Sequence, residues 1–258
     1  MVKSLGRWLL GKMREAGYAA GFLYQVLKGS LGFFSRNQVG YRVLFMQIIF
    51  TGVQALGVIA LISMALGVVI IIQGINLLPQ FGQGDLIYAI LVAVITRELG
   101  PLLTAFVITA RSATAIATEL GNMCVSHEIE AYISVGINPI SYLVVPRFLG
   151  VTLSLIILNL YFNLFGLGGS FIVAQFINPI PLSEYTRHLV LHLKTVDILS
   201  SIIKSVVFGA IISFTATYNG FKVSQSTTEI PQVVIKAVGQ GFVYCIIADA
   251  IITVISYL

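Results

Sequence analysis

Arg97 and Glu98 are adjacent opposite charges inside an otherwise apolar run, and Gly100-Pro101 follows them directly. A charge left unpaired at the centre of a bilayer costs at least ~2.5–3.5 kcal/mol on insertion scales. Charges at that depth therefore point to a protein-lined site. Pro101 carries no N–H, so the helical bond to the Arg97 carbonyl is lost, and Gly100 adds freedom beside it. The expectation is a broken helix whose freed carbonyl and two side chains line a polar cavity or hold the head of an amphiphile. An interhelical salt bridge is the competing reading. Neighbours on a helix lie about 100° apart, so Arg97 and Glu98 are not expected to face one another. Each then needs a partner on another segment, or a ligand.

Lys204 and Asp249 make a second set. If their spans pack antiparallel, they reach similar depth as a structural ion pair, with a proton relay as the alternative. His188 and His192 are four residues apart and could share a metal, but nothing nearby completes a ligand set. They read as a solvated helix face, and no metal site is expected. No G-x-S-x-G occurs and no histidine motif resembles a membrane protease, so no catalytic residue is assigned. No G-x-x-x-x-G-K-[ST] occurs either, so the chain has no P-loop for ATP phosphates.

The elements that must position these residues follow from composition. The chain has 258 residues, 57% of them hydrophobic and 10% charged, against about 25% charged in soluble domains. Its apolar runs do not alternate as barrel strands do. The fold expected is all-α: a polytopic membrane protein with an N-terminal interfacial amphipathic helix and five transmembrane helices. The net charge of +5 is no nucleic-acid signature, because seven of the fifteen basic residues precede Val43. That density places the N-terminus in the cytoplasm by the positive-inside rule. Residues 1–43 form the basic amphipathic region, where Leu5, Trp8, Leu9, Leu23 and Leu27 share one face. It lies on the membrane or packs on the protein, and the two remain open. Residues 44–258 form the membrane domain.

The spans are expected at about 53–78, 86–118, 141–177, 199–219 and 234–258, with 44–52 oblique at the inner surface. Five spans put the C-terminus outside, and the 119–140 and 220–233 loops inside. The 182–197 segment is read as a charge-balanced outer loop. Ala110, Thr114 and Thr118, with Ala113 and Ala117, form a small-residue ladder for close helix contact, within the chain or across a homodimer seam. Cys124 and Cys245 suggest no disulfide.

Several runs together carry a resemblance. They are Arg97-Glu98-Leu99-Gly100-Pro101-Leu102-Leu103-Thr104-Ala105, Ala117-Thr118-Glu119-Leu120-Gly121-Asn122-Met123, Glu130-Ala131, Gly136-Ile137-Asn138-Pro139 and Pro146-Arg147. With the length and span layout, they closely resemble the MlaE/YrbE family of permeases. The resemblance implies a homodimeric subunit of an ABC transporter that moves phospholipids or related lipids between inner and outer membranes and so serves outer-membrane lipid asymmetry. It implies a cytoplasmic ABC ATPase that binds the ATP and Mg, a periplasmic MCE-domain protein and, in some systems, a STAS-domain protein. The location implied is the bacterial inner membrane.

Carried over residue by residue, the resemblance marks Ile70, Gly74, Leu77, Leu78 and Phe81 as tail contacts and Arg97 with Glu98 as the charged pair of a lipid site. A coupling helix at about 126–135 would meet the ATPase through Glu128, Ile129, Glu130, Ile133 and Gly136. Cys124 and His127-Glu128 depart from the family pattern and bear on the details of that contact. From the residues alone, Val125, Ile129, Ile133 and Val135 could anchor in a partner's groove. The alternative function is an ion-coupled secondary carrier using Glu98 or Asp249, though no inverted repeat is visible.

Overall fold

The structure is a computed structural model. It describes the backbone of residues 2–36, 40–77, 86–177, 179–223 and 226–257, with side chains throughout these except 2–13, 16, 34–36, 40 and 257. Apart from short turns and connections, the described residues are helical, with no strand among them. Helix α1 runs Val2–Arg36 and α2 Gly40–Thr51, and a short 3-10 segment leads into α3, Leu56–Leu77. The next span begins as α4, Leu86–Leu91, passes through a π-helical stretch at Val92–Leu99, and continues as α5, Gly100–Ile108. A second π stretch, Thr109–Ala113, leads into α6, Thr114–Val125. Helix α7, Glu128–Ser134, precedes a third π stretch at Ile140–Val144 and the long α8, Val145–Ile177. Then come α9, Leu182–His192, α10, Thr195–Gly220, and α11, Ile230–Tyr257.

Among the described residues, five helical stretches are long and apolar enough to cross a membrane: Tyr41–Leu77, Leu86–Val125, Ile140–Ile177, Thr195–Gly220 and Thr227–Ser256. The chain is thus an all-α polytopic membrane protein. Three boundaries differ from the sequence reading. Residues 40–51 form α2, a separate helix, and the first apolar stretch long enough to cross begins at Tyr41 rather than at Val53. The second span continues past Thr118 to Val125, because Glu119 pairs with Arg147 of α8 and the polar residues after it extend the helix. The fourth span starts at Thr195, so Asp197 belongs to a helix and not to a solvated loop.

Small residues set the packing. Helix α3 lies along α8, where a Cβ on Gly67 would stand 2.1 Å from the carbonyl oxygen of Gly166. On α8, Gly169 meets Met64 in the same way. With few polar contacts between these faces, close backbone approach and dispersion hold them together. Helix α10 is central and touches α5, α6, α8 and α11. The small-residue ladder divides. Ala113 and Ala117 are fully buried, and a Cβ on Gly220 of α10 would come 3.2 Å from the Ala117 carbonyl oxygen. This row is therefore an intrachain contact. Thr114 and Thr118 are half-buried, with their hydroxyls bonded back to the carbonyls of Ala110 and Thr114.

Helix α1 docks on the protein through Phe22 and Val26, which pack against Phe148, Phe214, Tyr218 and Phe221. Tyr24, Leu27 and Leu31 point away and stay exposed. The two readings of this helix are thus compatible, since one face is packed and another is free. Leu5, Trp8 and Leu9 lie outside the described side chains.

Candidate functional site

Helix α10 presents Asp197 and Lys204 seven residues apart, which is two turns and so one face. The π stretch before Gly100 brings Arg97 and Glu98 against that face. Arg97 Nη1 lies 3.3 Å from Asp197 Oδ1, and Lys204 Nζ lies 2.5 Å from Glu98 Oε2 and 2.9 Å from Asp249 Oδ1. The Thr253 hydroxyl donates to Glu98 Oε2 at 3.0 Å. Asp197 also accepts from the backbone N–H of Lys194 at 3.0 Å, capping the start of α10. Lys204 is fully buried and Asp197 nearly so, whereas the Glu98 side chain is 29% exposed. The result is one charged layer that ties the second, fourth and fifth spans together. Its three carboxylates face two cations.

Two sequence expectations are corrected here. Arg97 and Glu98 do touch, with Nε and Oε1 3.3 Å apart, because the wider π turn and the shared surface of α10 draw both side chains the same way. Pro101 does not break the span. It sits in the first turn of α5, where its missing N–H is tolerated, and the π turn before it absorbs the mismatch. Gly100 is needed at this point: a Cβ would lie 2.3 Å from the Ile95 carbonyl oxygen and 3.2 Å from Asn159 Oδ1.

Of the tail-contact residues, Ile70 is half-buried and Leu77 exposed. Gly74 lets α3 close on α4, since a Cβ there would stand 2.4 Å from Ile87 Cδ1. That level is about 15 Å along the second span from Arg97, at 1.5 Å per residue. Leu78 and Phe81 lie outside the described residues.

At the other end of the same span, α6 runs straight to Val125 and the chain turns through His127, which has φ +57°. Helix α7 follows. Gly136, at φ +78°, closes it, with its N–H on the Ile133 carbonyl at 3.0 Å and the Ile137 N–H on that of Tyr132 at 2.9 Å. This is the Schellman pattern, which favours glycine at that position. Asn138 Oδ1 then accepts from the Ile140 N–H at 2.9 Å to open the third span. Arg147, nearly buried, joins Glu119 at 2.7 Å and donates to the Leu143 carbonyl at 2.8 Å. The two flanks of the α7 segment are thereby clasped together.

Ile133, Val135 and Ile137 are exposed, as are Glu128 and Glu130. Ile129 differs from the sequence reading: it is half-buried and packs, with Tyr132, on the core. A seven-residue helix needs such an anchor, because it is too short to hold by propensity alone. Sequence reasoning missed Asp197 and the Glu119–Arg147 clasp. The i,i+7 spacing of Asp197 and Lys204 was the available signal for the first. His188 is also corrected: it is half-buried and stacks on Tyr88 with ring centroids 4.8 Å apart.

The fold and site define a five-span helical membrane protein with a buried charged layer and an exposed short helix between two spans. The chain matches the family described as Permease MlaE over residues 44–255, and it belongs to that family. It is 24% identical over 257 residues to the intermembrane phospholipid transport system permease protein MlaE of Haemophilus influenzae, covering 99% of this chain and 97% of the relative. It is 28% identical over 207 residues to a probable ABC transporter permease protein of Rickettsia prowazekii, covering 80% of each. Protein trigalactosyldiacylglycerol 1, chloroplastic, of Arabidopsis thaliana is 30% identical over 218 residues, 84% of this chain and 62% of that protein.

Proposed function

We propose that this chain is the non-catalytic permease subunit of an ABC transporter that moves phospholipid between the inner and outer membranes. It works as a homodimer with a separate ATPase, which supplies the ATP and Mg chemistry, and with a periplasmic MCE-domain protein; a STAS-domain protein is a further partner. Its N-terminus and the α7 segment lie on the cytoplasmic side and its C-terminus on the periplasmic side, in the bacterial inner membrane. The observation that carries this reading is the exposed apolar edge of α7, Ile133 and Val135, at the end of the span that holds Arg97 and Glu98. Lipid tails contact Ile70, Gly74 and Leu77 on α3, with Leu78 and Phe81 beyond them. The headgroup meets the Arg97–Glu98 layer.

The reading is supported by the similarity along nearly the whole chain to the intermembrane phospholipid transport system permease protein of Haemophilus influenzae. It is also supported by the Lys204 contacts to both Glu98 and Asp249, which occupy the carboxylates that a proton-coupled carrier would use. Affinity purification of the tagged chain tests it. An ATPase is expected to co-purify, and its hydrolysis is expected to be disturbed by Glu130→Lys or Gly136→Val. Lipid movement in vesicles by this chain alone, driven by a proton gradient, would overturn it.

A further inference from the structure

Beside the charged layer, the bare backbone of Gly100 faces a ring of oxygens. Gly100 follows directly on the π stretch Val92–Leu99. Outside the adjoining helix backbone, the three heavy atoms nearest a Cβ there are all oxygens: the Ile95 carbonyl at 2.3 Å, Asn159 Oδ1 at 3.2 Å and Asn163 Oδ1 at 3.3 Å. Asn159 and Asn163 are four residues apart on α8 and so share a face. Asn159 is 1% exposed, and its Nδ2 donates to Ser201 Oγ at 2.8 Å, which turns its Oδ1 toward Gly100. Both amide oxygens are buried, and neither has a hydrogen-bond partner among the described residues. The same holds for the hydroxyl of Thr104, fully buried one turn beyond Gly100 on α5.

The chemistry of these groups selects what they hold. Buried acceptors without a donor are costly, so the site calls for a ligand that donates hydrogens or carries positive charge. A water molecule would supply hydrogens but no charge, and charge is what the surroundings lack. Glu98, Asp197 and Asp249 face Arg97 and Lys204, three carboxylates against two cations. Arg97 and Lys204 are held on those carboxylates, and the layer keeps one negative charge in excess. An uncompensated charge away from water is strongly unfavourable.

The oxygen-lined point is joined to that layer. Ser201, which holds Asn159, stands between Asp197 and Lys204 on α10, and Gly100 is two residues from Glu98. Among the described residues no three of His, Cys, Asp and Glu gather as metal ligands, so a transition metal is not the occupant. Neutral oxygens suit a hard cation, and a single excess charge suits a monovalent one. Backbone carbonyls at irregular helix turns are ligands of this kind for Na+ within membranes. We propose that Asn159, Asn163 and the Ile95 carbonyl bind one alkali cation, Na+ or K+, which balances the charge of the Arg97–Glu98–Lys204 layer. The proposal goes beyond the transport reading and does not rest on it, since the site lies within one chain and needs neither ATPase nor lipid.

The test uses the full-length chain, with the subunits that co-purify, in detergent. The probes are radioactive sodium ion and, separately, radioactive rubidium ion in place of K+, at constant ionic strength made up with N-methylglucamine chloride. One of the two is expected to bind saturably at close to one ion per chain and to raise the melting temperature over the same concentration range. Asn159→Ala and Asn163→Ala are each expected to weaken that binding at least tenfold. Should Asn159→Ala disturb the fold, it will melt early in N-methylglucamine as well, and Asn163→Ala, at a half-buried position, decides. Saturable binding by neither ion would overturn the proposal, because the site then holds only water or a proton neutralises the layer. Binding that Asn163→Ala leaves unchanged would overturn it too, as an adventitious ion only.

Discussion

The charged layer inside the second span and the α7 segment beyond that span's end are built on opposite principles. Around Lys204, every charged group has a partner from another helix, and burial makes each contact costly to break. Around α7 the apolar side chains of Ile133, Val135 and Ile137 face outward, and the segment is held by backbone caps at His127 and Gly136, the inward Ile129 and Tyr132, and the Glu119–Arg147 clasp. Each charge of the first region is paired within the chain. The second presents a surface that the chain itself leaves uncovered. The contrast separates a site whose geometry is fixed in advance from an exposed apolar surface, which under the proposed function receives the ATPase, and substitutions in the two regions should fail in different ways.

The largest effect is expected at Lys204. Lys204→Met leaves Glu98 and Asp249 facing each other without their cation. Breaking a buried pair in this way costs about 3–5 kcal/mol, to be read as a large fall in melting temperature in detergent. The reciprocal swap, Lys204→Asp with Asp249→Lys, is expected to restore only part of this, because Glu98 then faces a carboxylate at position 204. Full restoration would show that Glu98 contributes nothing to the cluster.

Gly67→Ala comes next. A methyl group 2.1 Å from a backbone oxygen must push α3 off α8, with the 1–3 kcal/mol typical of overpacking as a rough guide, again measured by thermal melting. Glu119→Gln should cost about 1 kcal/mol or less, since that carboxylate is 57% exposed. Ile133→Asp should leave stability within about 0.5 kcal/mol while removing ATPase association in a pull-down. An Ile133→Asp protein that melts early would erase the distinction between the two regions.

The fold was largely legible because its signals are local. Apolar runs give spans, Gly136 and Asn138-Pro139 mark the end of α7 and the start of the next span, and clustered Lys and Arg mark the N-terminal helix. The candidate site was legible in part. Arg97, Glu98, Lys204 and Asp249 stood out as charges in apolar surroundings, but their joining into one layer depends on how three spans rotate against each other, which no single stretch encodes. Asp197 was hidden among neighbouring charges in a segment that reads as a loop, and only the start of α10 at Thr195 turns it inward. The π turn was hidden as well. Pro101 reads as a break when helical spacing is assumed fixed, whereas a locally wider turn accommodates it and brings Arg97 onto Glu98.

The central claim is that one span connects a lipid-handling charged layer to the docking point of a separate motor. The most direct test is ATP-dependent transfer of fluorescent phospholipid by the assembled complex in proteoliposomes, comparing the native chain with Ile133→Asp. The account predicts at least a tenfold loss of transfer in the variant, with phospholipid still co-purifying at the native amount. Transfer that continues undiminished in Ile133→Asp, or that proceeds without any ATPase, would contradict it.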